Sequence, residues 1–407
     1  MTTATVAIFA IVYLGMIVGG LPFLQLDRAG VALLGAIAVV GFEILTPEQA
    51  ARTVHLPTLL LLFSFMVIAA QMRLGGFYTW ITQRIAALPL EPPALLGAVM
   101  AAAAALSALF SNDVVCLASA PVLIQACLRR RLDPVPFLLA LACAANVGSA
   151  ATLIGNPQNM LIGQKLGLSF SAYLLEAIVP VALGLAAAWT LVARGARGRW
   201  HAEPAPEALE RLPALARFDP WQTAKGLAVA LALMLVFLFT GWPRDVAALV
   251  GAGLLLTSRR LHSGKMLGLV DWPLLVLFIG LFVVNGALEQ TGLARQAIGA
   301  LEAAGVPLAH PAPLFAASFV LSNVVSNVPA TMLLLPAATR PFSGPLLALV
   351  TTFSGNLLIV GSIANIIVVD AARRYGIEIG WRRHARVGIP VTAATLAITA
   401  LWLYLLA

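Results

Sequence analysis

The chain has 407 residues, of which 61% are hydrophobic and only 10% charged, with a net charge of +8. A soluble domain carries about 25% charged residues, so this composition excludes one and points to a polytopic membrane protein. The positive charge does not mark a nucleic-acid binder, because Lys and Arg sit in short clusters between apolar runs, where loops beside a membrane carry them.

Residues 4–20, 29–45 and 57–71 read as helices 1 to 3, followed by an amphipathic piece over 77–87. Arg28 is the first basic residue, so the opening run reads as a membrane helix and not a cleaved leader. Residues 93–111 and 113–128 form two arms that meet at Ser111-Asn112-Asp113. Residues 136–154 and 160–168 form an interrupted helix 4, and 173–192 helix 5. The stretch 194–220 has mixed charge and several prolines and reads as a surface linker. Helices 6 and 7 then follow over 225–240 and 246–257, helix 8 over 273–288, and a second pair of arms over 313–326 and 328–339. A split helix 9 covers 345–360 and 364–372, and helix 10 covers 385–406.

The second half repeats the first. At an offset of 215, Ser107, Ser111, Asn112 and Pro121 fall on Ser322, Ser326, Asn327 and Pro336. At 216, Val54, Pro57 and Gly76 fall on Val270, Pro273 and Gly292. At 206, Gly155 and Asn159 fall on Gly361 and Asn365, and at 210 Pro180 falls on Pro390. Shared Pro and Gly positions mean shared backbone turns. The expected domains are repeat 1 over 1–193 with a hairpin at 93–128, a linker at 194–220, and repeat 2 over 221–407 with a hairpin at 313–339.

With the linker in the cytoplasm and five full crossings per half, 20 of the 25 Lys and Arg residues face inward. Only Arg52, Lys165, Arg244, Arg295 and Arg340 face outward. Both termini then lie outside. Five crossings is an odd number, so the halves are inverted, an architecture of secondary transporters that bind at the bilayer midplane. The expected fold is therefore all-α: two inverted repeats, each of five membrane helices (one broken) plus a re-entrant hairpin, in the plasma (inner) membrane.

Polar residues at the tips and breaks carry the chemistry. Ser, Asn and Asp are helix N-caps, so Ser111-Asn112 and Ser326-Asn327 are expected to cap the second arms, and Asn156 and Ser362 the second halves of the split helices. Four helix N-termini would then aim partial positive charge and free N–H donors at one point, which suits an anion or an oxygen-rich solute. The expected lining is Asn146, Ser149, Thr152, Gly155, Asn156, Gln158 and Asn159 from helix 4, with Thr351, Thr352, Ser354, Asn356, Gly361, Ser362 and Asn365 from helix 9. Thr331 follows the second tip. The plainer role for any one of these is interhelical glue. Asp113 is the one acid deep in an expected membrane element, which makes it the candidate proton carrier. Its partner in the second half is Val328.

Taken together, SND at 111–113, NVGSAATLIGNPQN at 146–159, VDWPLLVLFIGLFV at 270–283, SNVPA at 326–330 and GNLLIVGSIAN at 355–365 resemble the ion-transporter superfamily. That group holds ArsB-type arsenite permeases, NhaD-type sodium/proton antiporters and citrate and dicarboxylate permeases. The resemblance implies a scaffold and a moving transport domain, with Ser-Asn tips and broken helices holding substrate and coupling ion. Dicarboxylate carriers typically show Ser-Asn-Thr at both tips. Ser-Asn-Asp and Ser-Asn-Val lie closer to the arsenite side. Cys116, one turn past the tip, offers a thiol that trivalent arsenic could meet, or is simply a buried small residue.

The expected function is secondary-active transport of a small anion or metalloid oxyacid, arsenite-type efflux first, with H+ as coupling ion. The alternative is a sodium-coupled citrate or dicarboxylate carrier or a sodium/proton antiporter. No cofactor or metal is expected. All five His lie near loops or expected helix ends, and there is neither an HExxH nor a P-loop, which argues against an enzyme. The expected partners are the substrate and the lipid bilayer, with no nucleic acid. A homodimer and an accessory ATPase subunit both remain open.

Overall fold

The computed structural model describes residues 2–21, 24–202 and 217–406. Most of the linker expected at 194–220, residues 203–216, lies outside the described residues.

The helices before the linker are α1 (Thr2–Val18), α2 (Arg28–Gly41), α3 (Pro47–Thr53), α4 (Leu56–Leu74), α5 (Phe77–Ala86), α6 (Pro92–Leu109), α7 (Asn112–Arg129), α8 (Pro134–Ser149), α9 (Pro157–Lys165) and α10 (Phe170–Gly195). Those after it are α11 (Pro220–Phe239), α12 (Arg244–Leu256), α13 (Ser263–Leu267), α14 (Trp272–Gln290), α15 (Leu293–Ala303), α16 (Pro311–Val325), α17 (Asn327–Leu334), α18 (Ser343–Ser354), α19 (Ile363–Arg374) and α20 (Trp381–Leu406). The chain is an all-α membrane fold. The only β pairing among the described residues is Gly20–Leu21 with Leu26–Asp27, plus an isolated bridge between Leu132 and His201.

Local chemistry sets the helix starts. Proline occupies the first turn of α3, α4, α6, α8, α9, α11, α14 and α16, where its missing N–H costs nothing. Thr46 and Gln49 form a reciprocal capping box on α3, and Asp219 and Asp271 accept backbone N–H bonds at the starts of α11 and α14. Gly76 and Gly292, matched in the sequence, both take positive φ (69° and 74°) at the starts of α5 and α15.

Three short helices, α3, α13 and α15, were not expected. Their apolar residues are too few and too interrupted to form a membrane-length pattern. Pro336 shortens the second arm of the second hairpin, so α17 ends at Leu334 and continues as a 3-10 turn over Leu335–Ala337.

Among the described residues, α4, α6, α10, α11, α14 and α20 are long and apolar enough to cross a membrane. The halves exchange contacts: α2 packs along α14, and α12 along α4. Small residues permit the approach, since a Cβ at Gly280 of α14 would stand 2.5 Å from the Ala32 carbonyl carbon of α2; within the first half, one at Gly148 of α8 would stand 2.3 Å from the Ala104 Cα of α6. α8 and α18 are buried almost throughout, whereas α10 and α20 expose Leu175, Leu183, Ile389 and Tyr404 to the surroundings. The polar residues of the breaks therefore lie in the middle of the molecule, shielded by outer apolar helices.

Candidate functional site

Both interrupted helices break at the same place. α8 ends at Ser149 and α9 starts at Pro157, while α18 ends at Ser354 and α19 starts at Ile363. Between α8 and α9, Gly155 is obligatory, because a Cβ there would stand 2.1 Å from the Ser149 carbonyl oxygen and 2.8 Å from that of Ser107. Gly361 is less crowded, with its nearest neighbour at 3.2 Å. Asn156 caps α9 by accepting from the Asn159 N–H at 2.9 Å, and Ser362 caps α19 by accepting from the Ala364 N–H at 3.2 Å. Those two caps are as the sequence implied.

The hairpin tips differ from expectation. Ser111 and Ser326 occupy the N-cap positions of α7 and α17, yet neither side chain makes a capping bond. The N–H groups at the starts of α7 and α17 are thus left without a side-chain cap. Asn112, now the first helical residue, points its amide away from its own helix and donates to the Asn146 Oδ1 at 3.0 Å. Asn327 instead accepts from the Ser322 Oγ at 2.6 Å, and Ser322 also reaches the Thr351 carbonyl. Ser326 sits at φ 77°, ψ 161°, a region normally left to glycine.

The two breaks cross through a reciprocal set of bonds. Asn146 of α8 accepts from the Ser362 Oγ at 2.9 Å and donates to Asn356 at 2.9 Å and Asn365 at 3.2 Å. Its counterpart in α18, Thr352, accepts from Asn156 and Gln158, each at 3.2 Å, and faces the Asn159 Oδ1 at 3.4 Å. Asn156 also donates to Ser149. Each break is braced alike: Asn159 donates to the Thr152 carbonyl at 3.0 Å, and Asn365 to the Leu358 carbonyl at 2.9 Å. The Thr152 hydroxyl ties the first break to the hairpin through the Ala108 carbonyl. Asn112, Asn146, Asn156, Asn159, Asn356, Ser362 and Asn365 thus form one buried cluster, and Asn327 lies beside it, with its Nδ2 3.3 Å from where a Cβ on Gly355 would stand.

Two buried polar atoms of that cluster lack partners: the acceptor Asn112 Oδ1 and the donor Asn356 Nδ2. Such atoms mark places where a ligand or water can complete the set. The Thr331 Oγ1 is also unpartnered, although the residue is fully buried. Thr351 and Ser354 do not line the site as expected. Their hydroxyls turn back onto the Leu347 and Val350 carbonyls of their own helix, the usual refuge of a hydroxyl within a helix. Cys116 is fully buried.

Asp113 presents one carboxylate oxygen, Oδ1, that is shut off and unpartnered. With Ser111 and Asn156 it lines a cavity of about 70 Å³. Arg73, at the end of α4, and Asp271, at the start of α14, line the same cavity. Asp113 remains the acid set deep at the hairpin tip; Asp271, an exposed helix cap, borders the same cavity, a meeting that only the fold reveals. The sequence reading also missed Tyr173 and His384. The Tyr173 hydroxyl donates to the Ala150 carbonyl at 2.7 Å, and the His384 Nε2 lies 3.0 Å from the Asn356 carbonyl. Ala150 and Asn356 are matched positions, so each break receives a polar group from the last helix of its half. His384 lies in the first turn of α20, near a helix end as expected, but is buried. No signal in the sequence pairs the two, because the offset that aligns Pro180 with Pro390 sets Tyr173 against Arg383; the fold alone shows both.

Comparison with known proteins places this arrangement. The family model described as a citrate transporter, CitMHS, matches residues 8–350. An uncharacterized transporter of Mycobacterium tuberculosis is 30% identical over 97% of this chain and 98% of its own length. The silicon efflux transporter LSI3 of Oryza sativa subsp. japonica is 28% identical over 97% of this chain and 95% of its own. The crystal structure of the YdaH transporter of Alcanivorax borkumensis superposes with a TM-score of 0.57 at 15% identity, covering 98% and 97% of the two chains, which shows a shared fold. With most of its length matched by the family model and polar helix breaks buried at its centre, this chain belongs to the citrate transporter family of integral membrane transporters, within the ion-transporter superfamily.

Proposed function

We propose that the chain is a secondary-active transporter of a small oxyacid, arsenite or a related metalloid first, moved outward in exchange for protons carried by Asp113. The observation that carries this reading is the chemistry of the central cluster. Its side chains are neutral amides and hydroxyls, and its open positions are one acceptor, Asn112 Oδ1, and one donor, Asn356 Nδ2. A solute bearing several O–H groups satisfies both at once, whereas a bare anion satisfies only the donor. LSI3, related along nearly its whole length, is described as a silicon efflux transporter, and silicon in neutral water is the undissociated acid Si(OH)4.

In this reading the halves are inverted repeats in the inner membrane, with the linker cytoplasmic and both termini outside. The exchanged packing of α2 on α14 and α12 on α4 is what a two-fold relation between halves produces. The cavity beside Asp113 then opens toward the cytoplasmic ends of α4 and α14, between Arg73 and Asp271. Solute reaches the cluster from that side, and protons taken up from the outside are released to it.

A second reading, a sodium-coupled citrate or dicarboxylate carrier, draws on the family's description and on the helix N-termini at the cluster, which favour anions. Proteoliposomes loaded with the purified chain separate the two. Arsenite or silicic acid flux that follows an imposed pH gradient, without sodium, supports the first. Citrate flux that requires sodium, with no metalloid flux, replaces it with the second.

A further inference from the structure

On the linker face of the molecule, away from the central cluster, a cavity of about 210 Å³ opens between the start of α8, the end of α10 and the start of α20. Three arginines line it: Arg199, Arg383 and Arg386. The one acid in the lining, Asp133, is already engaged, because its Oδ1 accepts from the Val135 N–H at 3.0 Å and its Oδ2 lies 3.4 Å from Arg383. Arg199 donates to the Gly195 carbonyl. Arg386 has no hydrogen-bond or ion-pair partner among the described residues. The remaining wall is apolar and includes Leu191 and Val387, from α10 and α20, which both expose large apolar side chains on the outside of the fold.

The cavity therefore joins an excess of guanidinium charge to an apolar slope that continues into the bilayer. Guanidinium groups match phosphate oxygens in a two-pronged geometry, and basic pockets between membrane helices hold lipid headgroups. The matched face of the other half lacks these groups. At the offset of 210 that aligns Pro180 with Pro390, Arg386 falls on Glu176 and Arg383 on Tyr173. Basic residues are expected on this cytoplasmic face; what sets these three apart is that they converge on one cavity with an apolar wall.

We propose that this cavity binds a phosphate-bearing anion, the headgroup of an anionic phospholipid whose acyl chains lie along α10 and α20. Free phosphate shares the headgroup chemistry but not the apolar wall, so the two sources are separable. The purified full chain, stripped of lipid in detergent, is titrated with phosphatidylglycerol, phosphatidylcholine or millimolar inorganic phosphate while its unfolding midpoint is followed. The expected result is a rise in midpoint with phosphatidylglycerol alone, with Arg386→Gln weakening that response about tenfold or more, as loss of a charged hydrogen bond predicts. Arg386→Lys, which keeps the charge but not the fork, is expected to fall between them. Equal shifts from the two lipids, or a wild-type response in Arg386→Gln with an unchanged midpoint in phosphatidylcholine, overturns the proposal. A full shift from inorganic phosphate overturns the lipid assignment and leaves a soluble-anion site. The readout involves no transport, so its outcome is independent of the substrate.

Discussion

At the first helix break, Asn159 ties the Thr152 carbonyl and Tyr173 the Ala150 carbonyl; at the second, Asn365 ties Leu358 and His384 ties Asn356. The bracing asparagines and the carbonyls tied are matched positions, although Asn365 also reaches the Gly355 carbonyl and Asn159 also donates to the Tyr173 hydroxyl. The hairpin tips above the breaks are not the same. The first tip carries Asp113, sends Asn112 across to Asn146 and leaves the Ser107 hydroxyl unpartnered. The second carries Val328, folds Asn327 back onto Ser322 and holds Ser326 at positive φ. Scaffold chemistry is thus shared by the halves, and differences concentrate where solute and coupling ion are proposed to sit. Only the first tip carries an acid, and that acid borders a cavity.

The comparison is tested most severely at Asp113. In proteoliposomes with an imposed pH gradient, Asp113→Asn is expected to reduce metalloid flux to the level of empty vesicles, while Val328→Asn leaves it near wild type. Equal losses from both substitutions would mean that the tips act as equals. The breaks come next. Gly155→Ala places a methyl against two backbone oxygens that cannot retreat, and is expected to cost about 3 kcal/mol or more, or to prevent folding. Gly361→Ala meets nothing nearer than 3.2 Å and is expected to cost less than about 1 kcal/mol. Thermal unfolding in detergent compares them.

At the crossing, Asn146 serves four partners and Thr352 three. Truncating Asn146 to Ala strands a buried amide on Asn112 and others on Asn356 and Asn365, an expected loss of about 3 kcal/mol or more. Thr352→Ala leaves Asn156 with its second partner, Ser149, and is expected to cost about 1–2 kcal/mol. The reverse order would mean that Thr352, not Asn146, anchors the crossing.

Much of this was legible before the fold. Ser, Asn and Gly in the middle of apolar runs, recurring in register, marked the tips and breaks. The cap residues Asn156 and Ser362 followed from break-then-cap spacing. What could not be read depends on which side chains meet across the chain. Asn112 looks like part of a cap because Ser-Asn before a helix usually caps it, but a partner 34 residues on, Asn146, competes for its amide. Asp271 and Arg73 look like surface punctuation at helix ends and become cavity walls only when α4 and α14 pack beside α7 and α9. The short helices α3, α13 and α15 lack the length of the membrane-crossing runs, and α15, though amphipathic, buries no residue at all.

The strain at the second tip gives a smaller effect with an opposite sign. A non-glycine residue at the φ of Ser326 costs about 1–3 kcal/mol, and its hydroxyl makes no capping bond to offset that. Ser326→Gly is therefore expected to raise stability by about 1 kcal/mol after the added freedom of glycine in the unfolded chain is subtracted. Ser111→Gly, at a relaxed φ of −59°, is expected to lower it by a few tenths. A stabilised Ser326→Gly that transports more slowly would place the strain in the transport cycle, whereas one that transports normally would make it a by-product of the Ser322–Asn327 contact.

The smallest expected differences concern the phenol and the imidazole. Both supply a hydrogen bond to a carbonyl that helix interruption has left without its usual partner, so the bond is the shared need and the ring is incidental. Tyr173→Phe keeps the ring and removes the donor, with an expected cost of about 1–2 kcal/mol. His384→Leu removes both and is expected to cost about 1–3 kcal/mol, since the Asn356 carbonyl lies within the cluster. His384→Gln keeps an N–H of similar reach and is expected to stay within about 0.5 kcal/mol of wild type. If Gln and Leu at position 384 unfold alike, the imidazole holds its place by packing against Gly388, and the likeness between the two braces extends only to Asn159 and Asn365.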